Sequence, residues 1–232
     1  MISVIIPAYN EEGVIGKTIQ YLRSVADAQL VTEIIVVDGG STDNTVNESE
    51  QAGALVRRSL KKGRAAQMNE GARCAKGSIL YFLHADSIPP KTFAIDIAEA
   101  LKRHFAMGCY RLRFDVDHWF LKANAWFTRF DLNAFRYGDQ SLFVTRECFD
   151  RVGGFSEKHI VFEDYDIIKR LRRHGKFAIL KKEVVTSARK YVANGVFKMQ
   201  GIFYLMYMMY RLGYSQDKML TLFRKLVRQD KL

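Results

Sequence analysis

Ile34-Ile35-Val36-Val37-Asp38 and Ile79-Leu80-Tyr81-Phe82-Leu83-His84-Ala85-Asp86 are two apolar runs that each end in an aspartate. Short, continuous apolar runs of this kind read as strands buried on both faces, the parallel-sheet kind. Acidic groups at the carboxyl ends of such strands lie where open α/β sheets bind ligands. The second run also offers His84, so oxygen and nitrogen ligands for a hard or borderline metal stand close together. The pattern implies an enzyme that handles a metal-bound nucleotide diphosphate.

Working outward, 3–7 reads as a first strand, and Asn10 as the cap of a helix with Glu11 and Glu12 in its first turn. Val14, Ile15, Ile19, Leu22 and Val25 recur at helical spacing and face a sheet. Gly39-Gly40-Ser41-Thr42-Asp43 turns the second strand into a helix that reaches about residue 53. A short strand at 54–58, a basic loop (Lys61, Lys62, Arg64) and a helix over 65–75 follow, then the strand 79–86 and a helix over 92–104. This alternation predicts an α/β fold with a mostly parallel sheet and right-handed crossovers. Further strands are expected at 110–116, 141–145 and 177–180, a helix or ordered loop at 119–130, a turn at Gly153-Gly154-Phe155, and a helix from Glu163 to Gly175. The catalytic domain is expected over 1–191. The remainder, 192–232, reads as a helical extension of two amphipathic helices split near Gly213.

Three cysteines without metal spacing fit a reducing compartment and small buried apolar roles. The start Met1-Ile2-Ser3-Val4 lacks a basic leader, and no stretch reaches the roughly 20 apolar residues of a spanning helix. A cytoplasmic chain is therefore expected. Net charge is +11, and from Lys181 onward eleven basic residues face three acidic ones. Such a tail suits a polyanion or simply a solvated surface. Its apolar run, 202–210, fits a peripheral helix on an anionic membrane, a helix buried on the catalytic domain, or a homodimer interface.

Neither a P-loop nor a dinucleotide fingerprint is present. Instead, Pro7-Ala8-Tyr9-Asn10-Glu11, Val36-Val37-Asp38-Gly39-Gly40-Ser41-Thr42-Asp43, Gly63-Arg64-Ala65-Ala66-Gln67-Met68-Asn69, His84-Ala85-Asp86, Gly153-Gly154-Phe155 and Phe162-Glu163-Asp164 occur in this order. The series resembles family 2 glycosyltransferases of the GT-A fold over about residues 2–191. Leu83-His84-Ala85-Asp86-Ser87, Arg136-Tyr137-Gly138-Asp139-Gln140 and Thr186-Ser187-Ala188-Arg189-Lys190 look like a bacterial branch of small, single-domain members.

The resemblance implies an inverting transfer of sugar from a nucleotide-diphosphate donor, a UDP-sugar, to an unknown hydroxyl acceptor, for which the amphipathic tail suggests a lipid-linked one. Such chemistry needs a divalent metal, Mn2+ or Mg2+, and cations to stabilise the departing diphosphate. It also needs a carboxylate to take the acceptor proton. Pro7, Tyr9, Glu11, Asp38, Arg64, His84 and Asp86 fall on the nucleotide-sugar side. Asp38 is matched to base or ribose, or else caps its own turn. Asp86 is the metal ligand. The family writes Asp-x-Asp where this chain writes His84-Ala85-Asp86. On a strand, His84 and Asp86 share one face. His84 then bonds ribose, ligates the metal or packs as a strand residue. Asp164 is the base, with Glu163 its nearest rival. Glu163, Gln140, Arg189 and Lys190 are assigned to the acceptor or diphosphate side, with Gly138-Asp139-Gln140 shaping the acceptor side.

Two other classes stand beside this reading. Nucleotidyl transfer also uses aspartate–metal sites on α/β sheets, but it needs a basic fingerprint after the first strand that is missing here. A non-catalytic membrane- or nucleic-acid-binding protein on a transferase fold accounts for the charge. The basic excess carries no recognised nucleic-acid motif.

Overall fold

The computed structural model describes residues 1–136 and 138–228. Tyr137 of the 136–140 motif, and Asp230 and Lys231 of the basic tail, lie outside the described residues.

One eight-stranded sheet runs in the order β3-β2-β1-β4-β7-β6-β8-β5. Its strands are β1 (Ile2–Ala8), β2 (Val31–Asp38), β3 (Leu55–Arg58), β4 (Ile79–Phe82), β5 (Ser87–Ile88), β6 (Phe105–Phe114), β7 (Leu142–Thr145) and β8 (Lys176–Thr186). Parallel pairing joins β1 to β2 and β4, β2 to β3, and β6 to β8. Antiparallel pairing joins β7 to β4 and β6, and β5 to β8. The helices are α1 (Ile15–Val25), α2 (Thr45–Gln51), α3 (Arg64–Cys74), α4 (Phe93–Lys102), α5 (Trp119–Phe127), α6 (Arg146–Arg151), α7 (Glu163–Leu171), α8 (Arg189–Asn194), α9 (Val196–Arg211) and α10 (Gln216–Leu226).

The apolar runs bury both faces of the sheet because strand side chains alternate. Val4, Ile6, Val36, Ile79 and Tyr81 join one core with Ile15, Ile19 and Leu22 of α1 and Phe93 and Ile97 of α4. Ile5, Ile35, Val37, Leu80 and Phe82 join the other with Met68 and Ala72 of α3 and Ile167, Ile168 and Leu171 of α7. Pro7 sits in a central strand at no cost in pairing to β4, whose ladder with β1 ends at Ile5↔Phe82.

Three local expectations give way. Asn10 does not cap a helix: it adopts φ 53°, its Oδ1 accepts from the Thr42 N–H at 2.9 Å, and α1 begins only at Ile15. Strand β6 begins at Phe105, five residues before the expected strand at 110–116, and stops at Phe114, while β8 runs on to Thr186, past the expected 177–180. The strand expected over 79–86 stops at Phe82. Leu83 N–H still bonds the Ile5 carbonyl, and then Ser87 N–H closes a turn on the His84 carbonyl at 3.1 Å. His84 and Asp86 therefore sit in a turn and do not share a strand face.

The extension packs on the rest of the chain. Met199, Ile202 and Met206 of α9 meet Met219 and Phe223 of α10 and Val227 in a third core, and Gln216 Oε1 accepts from the N–H groups of Ile160 and Val161. The run 202–210 is thus half buried in protein and half turned outward. Among the described residues no helix is long and apolar enough to cross a membrane.

Candidate active site

The carboxyl ends of β1, β2 and β4 open onto one cluster of opposed charges. Asp86 reaches it because β5 follows it immediately and pairs Ser87 with Thr186 of β8. That register brings the start of α8 alongside, and Asp115 Oδ1 fixes it by accepting from Ala188 N–H at 2.8 Å. Arg189 then extends back to the strand ends. Its Nη1 and Nη2 donate to Glu11 Oε2 and Oε1 at 2.7 and 2.6 Å, and Nη2 also stands 3.0 Å from Asp86 Oδ2. Paired N–H groups on one carboxylate are the strongest and most directional form of ion pair. Burial raises the pKa of Asp86, and the charges of Arg189 and His84 work against that rise.

His84 is held apart from Asp86. Its Nδ1 lies 3.0 Å from Asp139 Oδ1, in a short helical turn over Gly138–Gln140. Burial opposes the charge on His84, but the Asp139 bond and carboxylate field prevail and its pKa is raised. Burial pushes Asp139 the other way from His84, whose bond and charge hold that carboxylate below its ordinary value. Gly138 leaves room for this: a Cβ there would lie 2.1 Å from Asp164 Oδ2 and 2.8 Å from His84 Nε2. Asp164 and His84 therefore meet over the bare Cα of Gly138.

The two neighbouring acids of α7 separate cleanly. Glu163 is 1% exposed, and its Oε1 lies 2.7 Å from Arg64 Nε at the start of α3. Burial outweighs Arg64, and the Glu163 pKa is pushed up to about 7. Asp164 is only partly buried and has no hydrogen-bond or ion-pair partner among the described residues. Burial raises its pKa too, against the pull of Arg64 and His84. Phe162, just before them, holds φ 65°, a left-handed backbone that costs energy in an aromatic residue and clusters at functional sites. Asp166 turns away to Arg170, 2.7 Å from its Nη2.

The motif at 63–69 has three separate tasks. Arg64 faces Glu163, and the fields of Asp164, Asp139 and Asp86 add to the attraction. Gln67 donates to the carbonyls of Ala8 and Val37, both at 2.8 Å, sealing the ends of β1 and β2. Asn69 exchanges two 2.9 Å bonds with the backbone of Phe155 and so anchors the Gly153-Gly154-Phe155 turn.

Not every expected residue points into the cleft. Asp38 is 3% exposed, and its oxygens accept from Gly40 and Ser41 N–H at 3.0 Å each, so it caps its own turn. Pro7 is buried in β1, and Tyr9 is exposed at the end of that strand. Gln140 is buried and turned inward, where its Oε1 accepts from Arg136 Nη1 at 3.2 Å. Arg136 itself was missed as a residue of consequence. It is buried and donates to the carbonyls of Thr128, Phe130 and Phe135, clamping the segment that carries Asp139. Asp139 was expected only within Gly138-Asp139-Gln140 on the acceptor side, and its pairing with His84 was not foreseen. Its only signal in the sequence is membership of the 136–140 motif.

No group of three or more His, Cys, Asp or Glu side chains able to hold a metal occurs among the described residues. A preformed metal centre does not fit this donor set. A metal that arrives with a diphosphate does, since Mg2+-type ions take one or two carboxylates and complete their shell with phosphate oxygens and water.

Comparison with known proteins agrees with this architecture. Residues 3–156 match the family described as Glycosyl transferase family 2, and the chain belongs to that family. A glucosyl-3-phosphoglycerate synthase of Mycolicibacterium paratuberculosis is 35% identical over 97 residues, 38% of this chain and 29% of that protein. A beta-monoglucosyldiacylglycerol synthase of a Synechocystis species is 28% identical over 198 residues, 75% of this chain and 40% of that protein. The chain matches about a third of the length of the first of these curated relatives. The glucosyl-3-phosphoglycerate synthase of Mycobacterium tuberculosis, solved with Mn2+, uridine diphosphate and phosphoglyceric acid, superposes with a TM-score of 0.63 at 20% identity, covering 92% of this chain and 79% of that one. The fold is the GT-A fold of glycosyltransferases, a curled, mostly parallel sheet flanked by helices.

Proposed function

We propose that the chain is an inverting glycosyltransferase that moves a sugar from a UDP-sugar to the hydroxyl of a lipid-linked acceptor, on the cytoplasmic face of a membrane. The observation that carries the chemistry is the contrast among the acids of the cluster. Glu11, Asp86, Asp139 and Glu163 each stand against a cation, whereas Asp164 has none within ion-pair distance among the described residues. A partly buried carboxylate with a raised pKa suits proton abstraction.

In this reading Asp164 takes the acceptor proton as the acceptor oxygen attacks the anomeric carbon. The bond from that carbon to the diphosphate breaks on the opposite side, and its electron pair leaves with UDP. A divalent ion, Mn2+ or Mg2+, supplies charge stabilisation for the departing diphosphate, with Asp86 as its protein ligand. Arg64 and Arg189 are the cations nearest the acids and complement the phosphate charge. UDP and Mn2+ are supported by the mycobacterial synthase structure, which holds both. A lipid acceptor is supported by the Synechocystis relative, named for a diacylglycerol product.

The test is calorimetric titration with UDP, GDP, dTDP and CDP, with and without Mn2+, alongside release of UDP from UDP-sugars offered diacylglycerol. Binding of UDP alone, lost in Asp86→Ala, is expected. Asp164→Asn is expected to keep that binding and lose turnover by about 10²–10⁴-fold. Full turnover in Asp164→Asn would remove it as the base.

A further inference from the structure

The chain contains two tryptophans, Trp119 and Trp126, and both lie on the nine-residue helix α5. They are 68% and 45% exposed. Large aromatic rings are ordinarily well buried, and the exposure of both on one helix needs a reason. Phe127, Phe130 and Leu132 are exposed with them. Positions 119, 123, 126 and 127 follow helical spacing and share one face, and Phe130, beyond the helix end, packs its ring 4.9 Å from that of Trp126.

That face continues onto α9. The ring of Phe197 lies 6.1 Å from Trp119 and 4.9 Å from Phe120, and Asn124 Nδ2 donates to Gln200 Oε1 at 3.1 Å. Two turns on, α9 splits into opposite stripes. Met199, Ile202 and Met206 face α10, while Phe197, Tyr204, Leu205, Met208 and Leu212 are exposed at spacings of one and two helical turns. Two helices that meet at Phe197 thus each expose aromatic and aliphatic side chains.

Charge identifies what fits it. Neither α5 nor α9 contains an aspartate or glutamate, and Lys122, Arg129, Lys198 and Arg211 lie on or beside them. Arg129 stacks over the Trp126 ring at 4.5 Å, Lys122 pairs with Asp117, and Arg211 bonds the Tyr207 hydroxyl. The acids beside the patch, Asp117 and Asp131, are each paired with a cation, Lys122 and Arg172. Apolar aromatics flanked by cations in excess are the composition of a helix face lying at a bilayer interface, with tryptophan at headgroup depth. A second copy of this chain would bring like charges together around the same patch, which opposes association.

We propose that α5 and α9 together form a docking face that seats the chain on an anionic lipid bilayer. The face adjoins the charged cluster on two sides. Arg136 ties the turn after α5, through the carbonyls of Thr128 and Phe130, to the segment bearing Asp139. Phe162 and Tyr165, flanking Asp164, lie against Tyr207 and Tyr210 of α9, with ring centroids 5.1–6.2 Å apart. Docking would therefore bring the bilayer surface beside the acceptor side of the cleft. The meaning of that placement rests on the transferase reading; the docking itself does not.

Because α5 holds every tryptophan, the intrinsic fluorescence of the full chain reports the event directly. The chain is titrated with phosphatidylcholine–phosphatidylglycerol vesicles, with phosphatidylcholine vesicles alone, and with vesicles brominated in the acyl chains. A blue shift, quenching by the brominated lipid, and binding weakened by salt or by omission of the anionic lipid are expected. The double variant Trp126→Glu, Tyr204→Glu changes two exposed positions and is expected to weaken partitioning by about tenfold or more with its circular dichroism unchanged. An unshifted, unquenched emission in wild type overturns the proposal. So does a dimer, seen by sedimentation and lost in the double variant, with no vesicle binding. UDP titration run in parallel separates the two readings: vesicle binding without UDP binding keeps the docking face and sinks the transferase, and UDP binding without vesicle binding does the reverse.

Discussion

Arg189 Nη2 stands 3.0 Å from Asp86 Oδ2 while the same guanidinium clasps Glu11. The carboxylate proposed for the metal is thus already engaged by a cation that comes from the far end of the β8 strand. Removing that cation as Arg189→Ala lets the burial that raises the Asp86 pKa act with less opposition. Protonated Asp86 is a poor ligand, so Mn2+-dependent UDP binding is expected to fail at a higher pH than in wild type. Calorimetry across pH checks it, and coincident acid limbs would remove Arg189 from the Asp86 field. Glu11 loses its partner as well, which is expected to lower stability to urea by about 1–3 kcal/mol, less than for a fully enclosed pair because Arg189 is partly exposed.

Glu163 makes stability depend on pH. Its folded-state pKa lies above the unfolded one, so the folded chain holds the proton more tightly. The stabilisation is fully present below about 4.5 and is lost as pH rises through about 7. Across that window wild type is expected to lose stability by at most about 1.4 kcal/mol per pH unit from this group. Glu163→Gln, which cannot titrate, is expected to flatten the slope. Urea unfolding of both proteins at several pH values decides the matter: parallel curves would mean that Glu163 does not titrate differently on folding.

Two glycines separate activity from stability. A Cβ at Gly138 would meet Asp164 Oδ2 at 2.1 Å, the mobile end of a side chain, so Gly138→Ala is expected to displace the proposed base and leave the fold intact. Turnover is expected to fall about 10²-fold, as misplacement by an ångström does. A Cβ at Gly71 would instead meet Ile5 Cγ2 at 2.3 Å inside the core between α3 and β1. Gly71→Ala is expected to destabilise by about 1–3 kcal/mol. Thermal melts and turnover measured on both variants must show this opposite pattern.

Arg136→Met replaces a buried guanidinium that donates to the carbonyls of Thr128, Phe130 and Phe135. Those acceptors lose their donors at one stroke, at a cost of about 1–3 kcal/mol for each group left buried and unpaired. The segment carrying Asp139 is expected to loosen, seen as faster amide exchange over 128–140 and a drop in the pKa of His84 as its Asp139 bond weakens. Unchanged exchange in that segment would contradict the clamp.

Much of the frame was legible from residue pattern. The buried strands β1, β2 and β4 announce themselves because each has to satisfy two cores, and so carries consecutive apolar side chains through most of its length. Helices α1, α4 and α7 show their one-sided periodicity for the same reason, burial of a single stripe. Element ends were less legible. The 79–86 run stays apolar through Leu83 and Ala85 because the turn beyond Phe82 is itself buried, so hydrophobicity carries no mark of where the ladder stops. Asn10 has the composition of a cap, but a distant partner, Thr42, takes its side chain.

By itself the sequence determined the α/β class, the order of the motifs and the residues they contain, because periodicity and turn chemistry are local properties written in consecutive positions. Only the tertiary structure decided what each charged side chain faces. Arg189 meets Glu11 across 178 positions, Arg64 meets Glu163, and His84 meets Asp139 rather than sharing a face with Asp86. Those pairings arise where the ends of β1, β4 and β8 and the starts of α3, α7 and α8 converge. The energy of an ion pair depends on separation and burial in space, neither of which is encoded in distance along the chain. The same holds for the two acids of α7: adjacent in sequence, one is enclosed against a cation and the other is left open at the cleft.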